Sequence, residues 1–204
     1  MSPKQAVNVD LEQARAVVRR EAEGVMKLAD QLDESLLKVL QVLWDCEGHI
    51  LVAGAGTSRA VAQRFAHLLA CCGTPALFVS AADALHGGSG AITSKDVVFV
   101  ISKGGRSAEI NKFVEIARSR GAKIVSQCEV SDSPLARMSD AVYRVVAPAD
   151  VDPYGMIATG SSLINAAAGD VLCVLLLGLR GYTKEAFSQT HPGGAVGEKI
   201  KAGQ

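Results

Sequence analysis

The chain has 204 residues, a length typical of one ordinary globular domain. Hydrophobic residues make up 49% of it and charged residues 21%, which excludes a largely disordered protein and leaves ample apolar surface for a packed core. Lys plus Arg (21) balances Asp plus Glu (21), so there is no overall basic field for nucleic acid or an anionic membrane, and any bound anion needs a local site.

The first 45 or so residues have helical periodicity. Apolar residues recur there at steps of three and four, at Leu11, Ala14, Val18, Ala22, Val25, Leu28 and Leu32. Asp33 offers an N-cap for a second helix. We therefore expect one domain over 1–204, made of an N-terminal helical segment (1–47) and an α/β core (48–200).

From His49 onward, short apolar runs alternate with longer amphipathic segments. The predicted strands are Ile50 to Ala53, Ala76 to Val79, Val97 to Ile101, Ile124 to Ser126 and Val142 to Val146. The predicted helices are Ser58 to Cys72, Ser107 to Arg120, Ser133 to Met138 and Ser161 to Leu179. This alternation predicts a doubly wound α/β fold, a five-stranded parallel sheet flanked by helices.

The most apolar stretch, Leu163 to Leu179, is not expected to span a membrane. Asn165 and Asp170 interrupt it, and the run from Val171 to Leu179 is far shorter than the ~20 residues that a bilayer requires. A helix buried on most sides in a globular or oligomeric core is the better interpretation.

The cysteines show no CxxC or CxxH spacing, lie in apolar segments and follow no secretory leader. They are Cys46, Cys71, Cys72, Cys128 and Cys173. We expect buried thiols in a reducing cytoplasmic compartment, with no disulfide and no metal.

Two loops that follow predicted strands are suited to bind an anion. Gly54-Ala55-Gly56-Thr57-Ser58-Arg59 and Ser102-Lys103-Gly104-Gly105-Arg106-Ser107 each lead into a helix. Glycines let backbone N–H groups approach an oxyanion, and helix N-termini and hydroxyls add donors. Arg59 stands where a dinucleotide fingerprint needs its third glycine, and no Walker pattern is present. Either loop alone could be a tight turn with a helix cap; together they favour a phosphate site.

Four segments resemble the SIS (sugar isomerase) family, closest to its arabinose 5-phosphate isomerase branch, from about His49 to Ile200. They are Gly54 to Ser58, Ala84 to Gly87, Ser102 to Ile110, and Thr190 to Gly197. The last, with His-Pro-Gly-Gly-Ala-Val-Gly, is the most specific, and in this family it supplies an active-site histidine.

The chain departs from that branch in several places. Thr57 stands where the branch has Lys, and the second loop has Lys103, Gly104 and Arg106 where the branch reads Ser-Asn-Ser-Gly-Glu-Ser. Asp150 aligns with a Glu. The branch commonly continues into two CBS modules, and the printed chain ends at Gln204, so we expect no regulation of that type.

The resemblance implies catalytic roles for Glu109, His191, His86 and Asp150, with no cofactor. Proton transfer through an enediol needs such acids and bases. Each residue also has an ordinary structural alternative: Glu109 could belong to a capping box, Asp150 to a turn, and either histidine to the surface. His49 and His67 are expected to be structural.

The predicted phosphate ligands lie in the two loops. They are Gly56, Thr57, Ser58, Ser102, Lys103, Gly105, Arg106 and Ser107. For the hydroxyls the alternative is helix capping, and for Lys103 and Arg106 it is simple solvation.

The resemblance thus predicts a phosphosugar aldose–ketose isomerase that interconverts arabinose 5-phosphate and ribulose 5-phosphate. Alternatives are a phosphosugar-binding sensor without turnover and a hexulose 6-phosphate isomerase. We expect a homotetramer, a dimer of dimers in which His86 or His191 of one chain completes another chain's site. Nucleic acid and membranes are not expected as partners.

Overall fold

The computed structural model describes residues 10–201, apart from the side chains of Val196, Ile200 and Lys201. The remainder of the expected domain, residues 1–9 and 202–204, lies outside the described residues. Five parallel strands form one sheet in the order β2-β1-β3-β4-β5. They are β1 (Ile50–Gly54), β2 (Ala76–Phe78), β3 (Val97–Ile101), β4 (Lys123–Cys128) and β5 (Ala141–Arg144). The predicted doubly wound parallel sheet is confirmed.

Helices cover both faces of the sheet. They are α1 (Leu11–Ala29), α2 (Glu34–Trp44), α3 (Thr57–Cys71), α4 (Ala81–Ala84), α5 (Ala108–Ser119), α6 (Pro134–Met138), α7 (Gly160–Arg180), α8 (Lys184–Thr190) and α9 (Gly194–Lys201). Short 3-10 turns occupy Gly88–Ala91 and Pro153–Gly155. The helical N-terminal portion is also confirmed.

The alternation of side chains along the central strands creates a core on each face. In β3, Phe99 and Ile101 pack with α2, α3 and α7 on one face. Val98 and Val100 pack with α4, α5 and α6 on the other. Strands buried on both faces appear in sequence as continuous apolar runs, which is why these strands were predictable.

The direction of strand succession reverses between β1 and β3. β1 pairs with β2 on one side and with β3 on the other. In open α/β sheets, ligands bind beyond the carboxyl ends of the strands at such a switch point. The two glycine-rich loops follow β1 and β3, so both lie at this point.

The N-terminal helices differ in their contact with the core. In α2, Val39 and Leu43 are fully buried in it. In α1 only Gly24 and Leu28 are buried. The apolar stripe predicted along α1 exists, but among the residues that the structure describes Leu11 remains 73% exposed.

Helix α7 is less buried than expected. Val174 is 65% exposed and Leu179 is 56% exposed, so burial on most sides is wrong for the single chain. Its opposite face packs on α3, where the guanidinium of Arg64 donates to both carboxylate oxygens of Asp170, at 2.6 and 3.0 Å. Within residues 10–201, α7 alone is long and apolar enough to cross a membrane, a test that core helices of soluble proteins also pass.

The cysteines are free thiols, but the expectation that all are buried is wrong. Cys128 and Cys173 are buried, whereas Cys46, Cys71 and Cys72 are half-buried. These three lie at or just after the end of a helix, and Cys46 and Cys72 pack against the edge of the core. Burial raises the pKa of the Cys173 thiol, so this residue stays protonated.

Candidate active site

The two loops at the switch point have backbone conformations that glycine favours. Gly56 has φ +56° and nothing near the position of a Cβ atom. Gly105 has φ +62°, and a Cβ atom there would lie 2.2 Å from Ser133 Oγ. Gly105 is therefore needed both for its backbone conformation and for close packing against the start of α6.

Hydrogen bonds hold the β3 loop rigidly. Gly105 N–H donates to the Ser102 carbonyl (3.1 Å), and the Gly105 carbonyl accepts from Leu135 N–H (3.2 Å). Ser102 N–H donates to the Gln127 carbonyl on β4 (3.0 Å). The loop is thus anchored to two neighbouring elements, β4 and α6.

Helices α3 and α5 begin at these loops without a side-chain cap. The N-cap of α3 is Gly56, and Ser107, the N-cap of α5, makes no capping hydrogen bond. Five other helices are capped by their own N-cap side chains, namely Asp10, Asp33, Ser80, Ser133 and Thr183. The first N–H groups of α3 and α5 and the Ser107 hydroxyl are therefore available to an anion.

Glu109 lies in the first turn of α5 and is exposed. Its carboxylate makes no hydrogen bond or ion pair with any residue that the structure describes. The capping-box alternative is wrong here, because Ser107 is the N-cap and Glu109 is therefore one position too early. The carboxylate is thus free to act on a ligand held by the loop.

A small cavity of about 30 Å³ lies between the starts of α3 and α7. Its polar lining consists of Thr57, Ser58, Lys103, Ser161, Ser162 and Asn165. The cavity joins three of the predicted phosphate ligands, from both glycine-rich loops, to hydroxyls of α7 that the sequence did not indicate. Ser102 is buried and Arg106 is exposed at the same loops.

Asp152 is a site residue that sequence reasoning missed. Its side chain is 3% exposed, and Oδ2 lies 3.3 Å from Lys103 Nζ. Burial alone would raise the pKa of this carboxyl, but hydrogen bonds from Ser161 and Lys103 outweigh burial and hold the pKa below its ordinary value. Asp150, the residue predicted instead, is exposed in the preceding turn. The only indication of Asp152 in the sequence is that it is a second carboxylate, two positions after Asp150.

The segment after Asp152 has an unusual backbone. Tyr154 has φ +57° although it is not glycine, and its side chain is 85% exposed. A bulky residue in the left-handed region is strained by about 1–3 kcal/mol. This strained turn connects β5 to α7 beside the cavity.

Neither of the two predicted catalytic histidines lines the cavity. His86 is exposed just after α4, which packs on α5. His191 follows α8, stacks on Phe187 with ring centroids 3.8 Å apart, and has Nε2 3.5 Å from Cys71 Sγ. Thr57, at the cavity, begins α3, and Cys71, which contacts His191, ends it. The rise of this helix therefore separates Cys71 from Thr57 by about 21 Å. One chain therefore does not bring His191 to Glu109.

Neither of the other two histidines is buried in the core. His49 is exposed, and its backbone N–H donates to Asp96 Oδ1 at 2.8 Å. His67 is exposed on α3, with Nε2 3.5 Å from Cys71 Sγ. These contacts agree with structural roles. Within residues 10–201, no group of three His, Cys, Asp or Glu side chains is arranged to hold a metal ion.

The sequence pattern of the SIS domain matches residues 43–175. The chain belongs to the SIS domain family. The matched SIS region includes both glycine-rich loops, the sheet and most of α7.

This SIS chain is similar in sequence to bacterial arabinose 5-phosphate isomerases. It is 33% identical over 193 residues to arabinose 5-phosphate isomerase KdsD of Yersinia pestis, covering 94% of this chain and 59% of that protein. It is 30% identical to arabinose 5-phosphate isomerase GutQ of Salmonella typhi, covering 93% of this chain and 59% of that protein. The SIS chain thus spans less than two thirds of the length of these relatives.

A solved SIS structure covers nearly the whole chain. Escherichia coli CFT073 c3406, in complex with arabinose 5-phosphate, is 28% identical with a TM-score of 0.87, over 92% of this chain and 100% of that one. The fold alone is shared with Vibrio vulnificus NanR complexed with ManNAc-6P, at 22% identity and a TM-score of 0.75, over 90% of this chain and 68% of that one.

Proposed function

We propose that this SIS protein is a phosphosugar aldose–ketose isomerase whose substrate pair is arabinose 5-phosphate and ribulose 5-phosphate. The observation that carries the proposal is the adjacent pair of uncapped helix starts, α3 and α5, with the free carboxylate of Glu109 on the first turn of α5. Similarity to KdsD and to the c3406 structure with its bound sugar phosphate supports the choice of sugar.

In this proposal the phosphate binds to the two loops. Its oxygens accept from the backbone N–H of Gly56, from the hydroxyls of Thr57, Ser58, Ser102 and Ser107, and from the cations of Lys103 and Arg106. Gly105, whose N–H already donates to the Ser102 carbonyl, shapes the loop rather than donating to the phosphate. A dianion gains both hydrogen bonds and the positive dipole ends of α3 and α5 there. The sugar chain then extends from the fixed phosphate past the first turn of α5.

Glu109 acts as the base in the proposed reaction. Its carboxylate removes the proton from C2 of the open-chain aldose while an acid protonates the C1 carbonyl oxygen, which gives a 1,2-enediol. Return of a proton to C1 and loss of the proton from the C2 hydroxyl give the ketose, with no net change in composition. His191, His86 and Asp150 are the proposed groups for ring opening and for proton transfer between oxygens, since imidazole and carboxylate side chains can act as general acids and bases.

Deuterium exchange tests the proposal. The protein is incubated in heavy water with arabinose 5-phosphate, ribulose 5-phosphate and hexose phosphates, and the sugars are examined by NMR. We expect deuterium at C1 of ribulose 5-phosphate and at C2 of arabinose 5-phosphate. Deuterium exchange in a hexulose 6-phosphate alone would identify that sugar as the substrate instead. Binding of a phosphosugar without exchange in any sugar would favour a sensor without turnover.

Glu109→Gln gives the sharpest variant in the same assay. The amide keeps the shape of the side chain and loses its basicity, so we expect turnover to fall about 10²–10⁴-fold. Affinity for inorganic phosphate, measured by calorimetry, is expected to stay unchanged because Glu109 is not a phosphate ligand. Glu115→Gln, on the same helix, is the matched control. Undiminished exchange in Glu109→Gln would contradict the assignment of the base.

A further inference from the structure

Lys103 and Asp152 form an ion pair with very unequal burial. The side chain of Asp152 is 3% exposed and that of Lys103 is 44% exposed. The two residues come from different connections, the β3–α5 loop and the turn before α7, and are 49 positions apart in sequence. The pair therefore joins the phosphate loop to the start of α7.

The hydrogen bonds of the Asp152 carboxylate are directed to both of these elements. Oδ1 accepts from Ser161 N–H at 2.9 Å, and Oδ2 accepts from Lys103 Nζ at 3.3 Å. An ammonium has three donors, so Lys103 keeps donors for a further acceptor beside Thr57 and Ser58 in the cavity. The carboxylate is already satisfied, whereas the cation is not.

We propose that Asp152 is a positioning residue that holds the Lys103 ammonium at the cavity between α3 and α7, where Lys103 binds a phosphate oxygen of the substrate. This inference rests on the phosphate-binding part of the proposed function and not on turnover. It provides a fixed cation at a site where Thr57 supplies only a hydroxyl.

The physical reason is preorganisation. A free lysine loses much of its rotamer freedom when it binds a ligand, and that loss weakens binding. Asp152 restricts the lysine before the ligand arrives. Arg106, the other cation of the loop, is exposed and forms no ion pair with the residues that the structure describes, so it lacks this advantage.

A purely structural role of Asp152 is the alternative, because this residue also caps α7 through Ser161 N–H. Asp152→Asn separates the two roles, since the amide oxygen still accepts from Ser161 but no longer carries charge for Lys103. If that variant does not fold, Asp152→Ser retains an acceptor for α7 and serves the same purpose. Lys103→Met removes the cation from a half-exposed position.

The experiment measures the affinity for inorganic phosphate by calorimetry, and stability by thermal unfolding, for the wild type, both single variants and the double variant. We expect Lys103→Met to weaken phosphate binding about tenfold or more, since charge-assisted hydrogen bonds contribute that much. Asp152→Asn is expected to weaken it about three- to tenfold. In the Lys103→Met background, Asp152→Asn should have no further effect on affinity.

Asp140→Asn is the matched control. Asp140 accepts from Lys123 Nζ at 3.4 Å and from Ile124 N–H at 2.7 Å, so it has the same types of partner at the amino ends of the strands. We expect its phosphate affinity to equal that of the wild type, whatever its stability.

The outcomes separate this inference from the proposed isomerase. The inference is overturned if the wild type binds no phosphate, or if Asp152→Asn lowers the melting temperature but not the phosphate affinity. It is also overturned if Asp152→Asn weakens binding by the same factor in the Lys103→Met background as in the wild type. If the protein turns over arabinose 5-phosphate and both single variants keep the wild-type affinity for phosphate, the proposed isomerase activity is supported and this inference is wrong. If the variants show the expected pattern of phosphate affinities but no sugar exchanges deuterium, this inference is supported and the proposed isomerase activity is wrong.

Discussion

Ser107 is the N-cap residue of α5, but its side chain makes no capping hydrogen bond. Its contribution to phosphate binding can therefore be tested separately from a contribution to stability. At most helix starts of this protein the N-cap side chain accepts a backbone N–H, as Asp33 does from Ser35 at 2.8 Å. The Ser107 hydroxyl does not. A hydroxyl left free at the N-terminus of a helix in a ligand-binding loop is suited to donate to a phosphate.

We therefore expect Ser107→Ala to weaken phosphate binding by roughly 1–3 kcal/mol while leaving the melting temperature nearly unchanged. Calorimetric titration with inorganic phosphate and thermal unfolding are the two measurements. Asp33→Ala is the control with the opposite pattern, because loss of a working cap lowers the melting temperature and does not touch the loops. A Ser107→Ala protein with full affinity and reduced stability would show that the hydroxyl serves the helix.

At the scale of elements, β5 carries a polar group that its packing does not satisfy. Tyr143 is 2% exposed, and among the described residues its hydroxyl has no hydrogen-bond partner. Burial raises the pKa of Tyr143 to about 12, so the phenol stays protonated at any physiological pH. The strand keeps its place in the sheet through the apolar ring, which lies in the core with α2 and α7.

Tyr143→Phe is accordingly expected to be neutral or to stabilise the protein by up to about 1–3 kcal/mol, since an unpaired buried hydroxyl costs free energy that phenylalanine avoids. Urea denaturation of both proteins at equal concentration measures the difference. A clear loss of stability would mean that the hydroxyl finds a partner in the assembled protein.

At the scale of the whole molecule, residues 10–201 of a single chain leave a broad apolar surface uncovered. Helices α2 and α7 form a groove lined by Leu37, Leu40, Gln41, Trp44, Leu175 and Leu179, of which Leu37, Trp44, Leu175 and Leu179 are exposed. The outer half of α1 and the tip of the turn before α7 add Leu11, Val18, Tyr154 and Met156. Exposed apolar surface of this extent usually marks an interface.

We propose that copies of this chain cover the surface in a homotetramer, as a dimer of dimers. The separation of about 21 Å along α3 between the loops and the neighbour of His191 supports the same assembly. A site that needs both Glu109 and His191 is complete only if the histidine comes from another chain. Closed symmetric assemblies are also the commonest for soluble homo-oligomers.

Subunit mixing tests this assembly. Glu109→Gln and His191→Ala are each expected to be inactive, and exchange of their subunits should restore part of the activity by bringing both wild-type residues into one site. The deuterium assay reports the recovery, and mass spectrometry of the mixed protein verifies the exchange. A monomer by light scattering, or verified exchange without recovery, would contradict the proposed sharing of the site; His86→Ala mixed in the same way tests the other histidine.

The fold was accessible from the sequence because its strands and loops are local patterns. A strand buried on both faces must be a short apolar run, and a tight turn that admits an anion must contain glycine, so β1, β3, Gly56 and Gly105 could be recognised without knowledge of any contact. Two glycine-rich loops after strands of one parallel sheet also indicated a shared edge. The position of Glu109 in the first turn of α5 also follows from the sequence, whereas the structure shows that its carboxylate makes no capping hydrogen bond.

Contacts between residues distant in sequence were decided only by the tertiary structure. Asp150 and Asp152 are alike in sequence, and burial beside Lys103 and Ser161 distinguishes them only after the chain folds. The apolar stripe of α1 predicts a covered face but not whether α7 or another copy of the chain covers it. The separation of His191 from the loops is likewise a property of packing, because the length and direction of α3 set it and no local pattern records it.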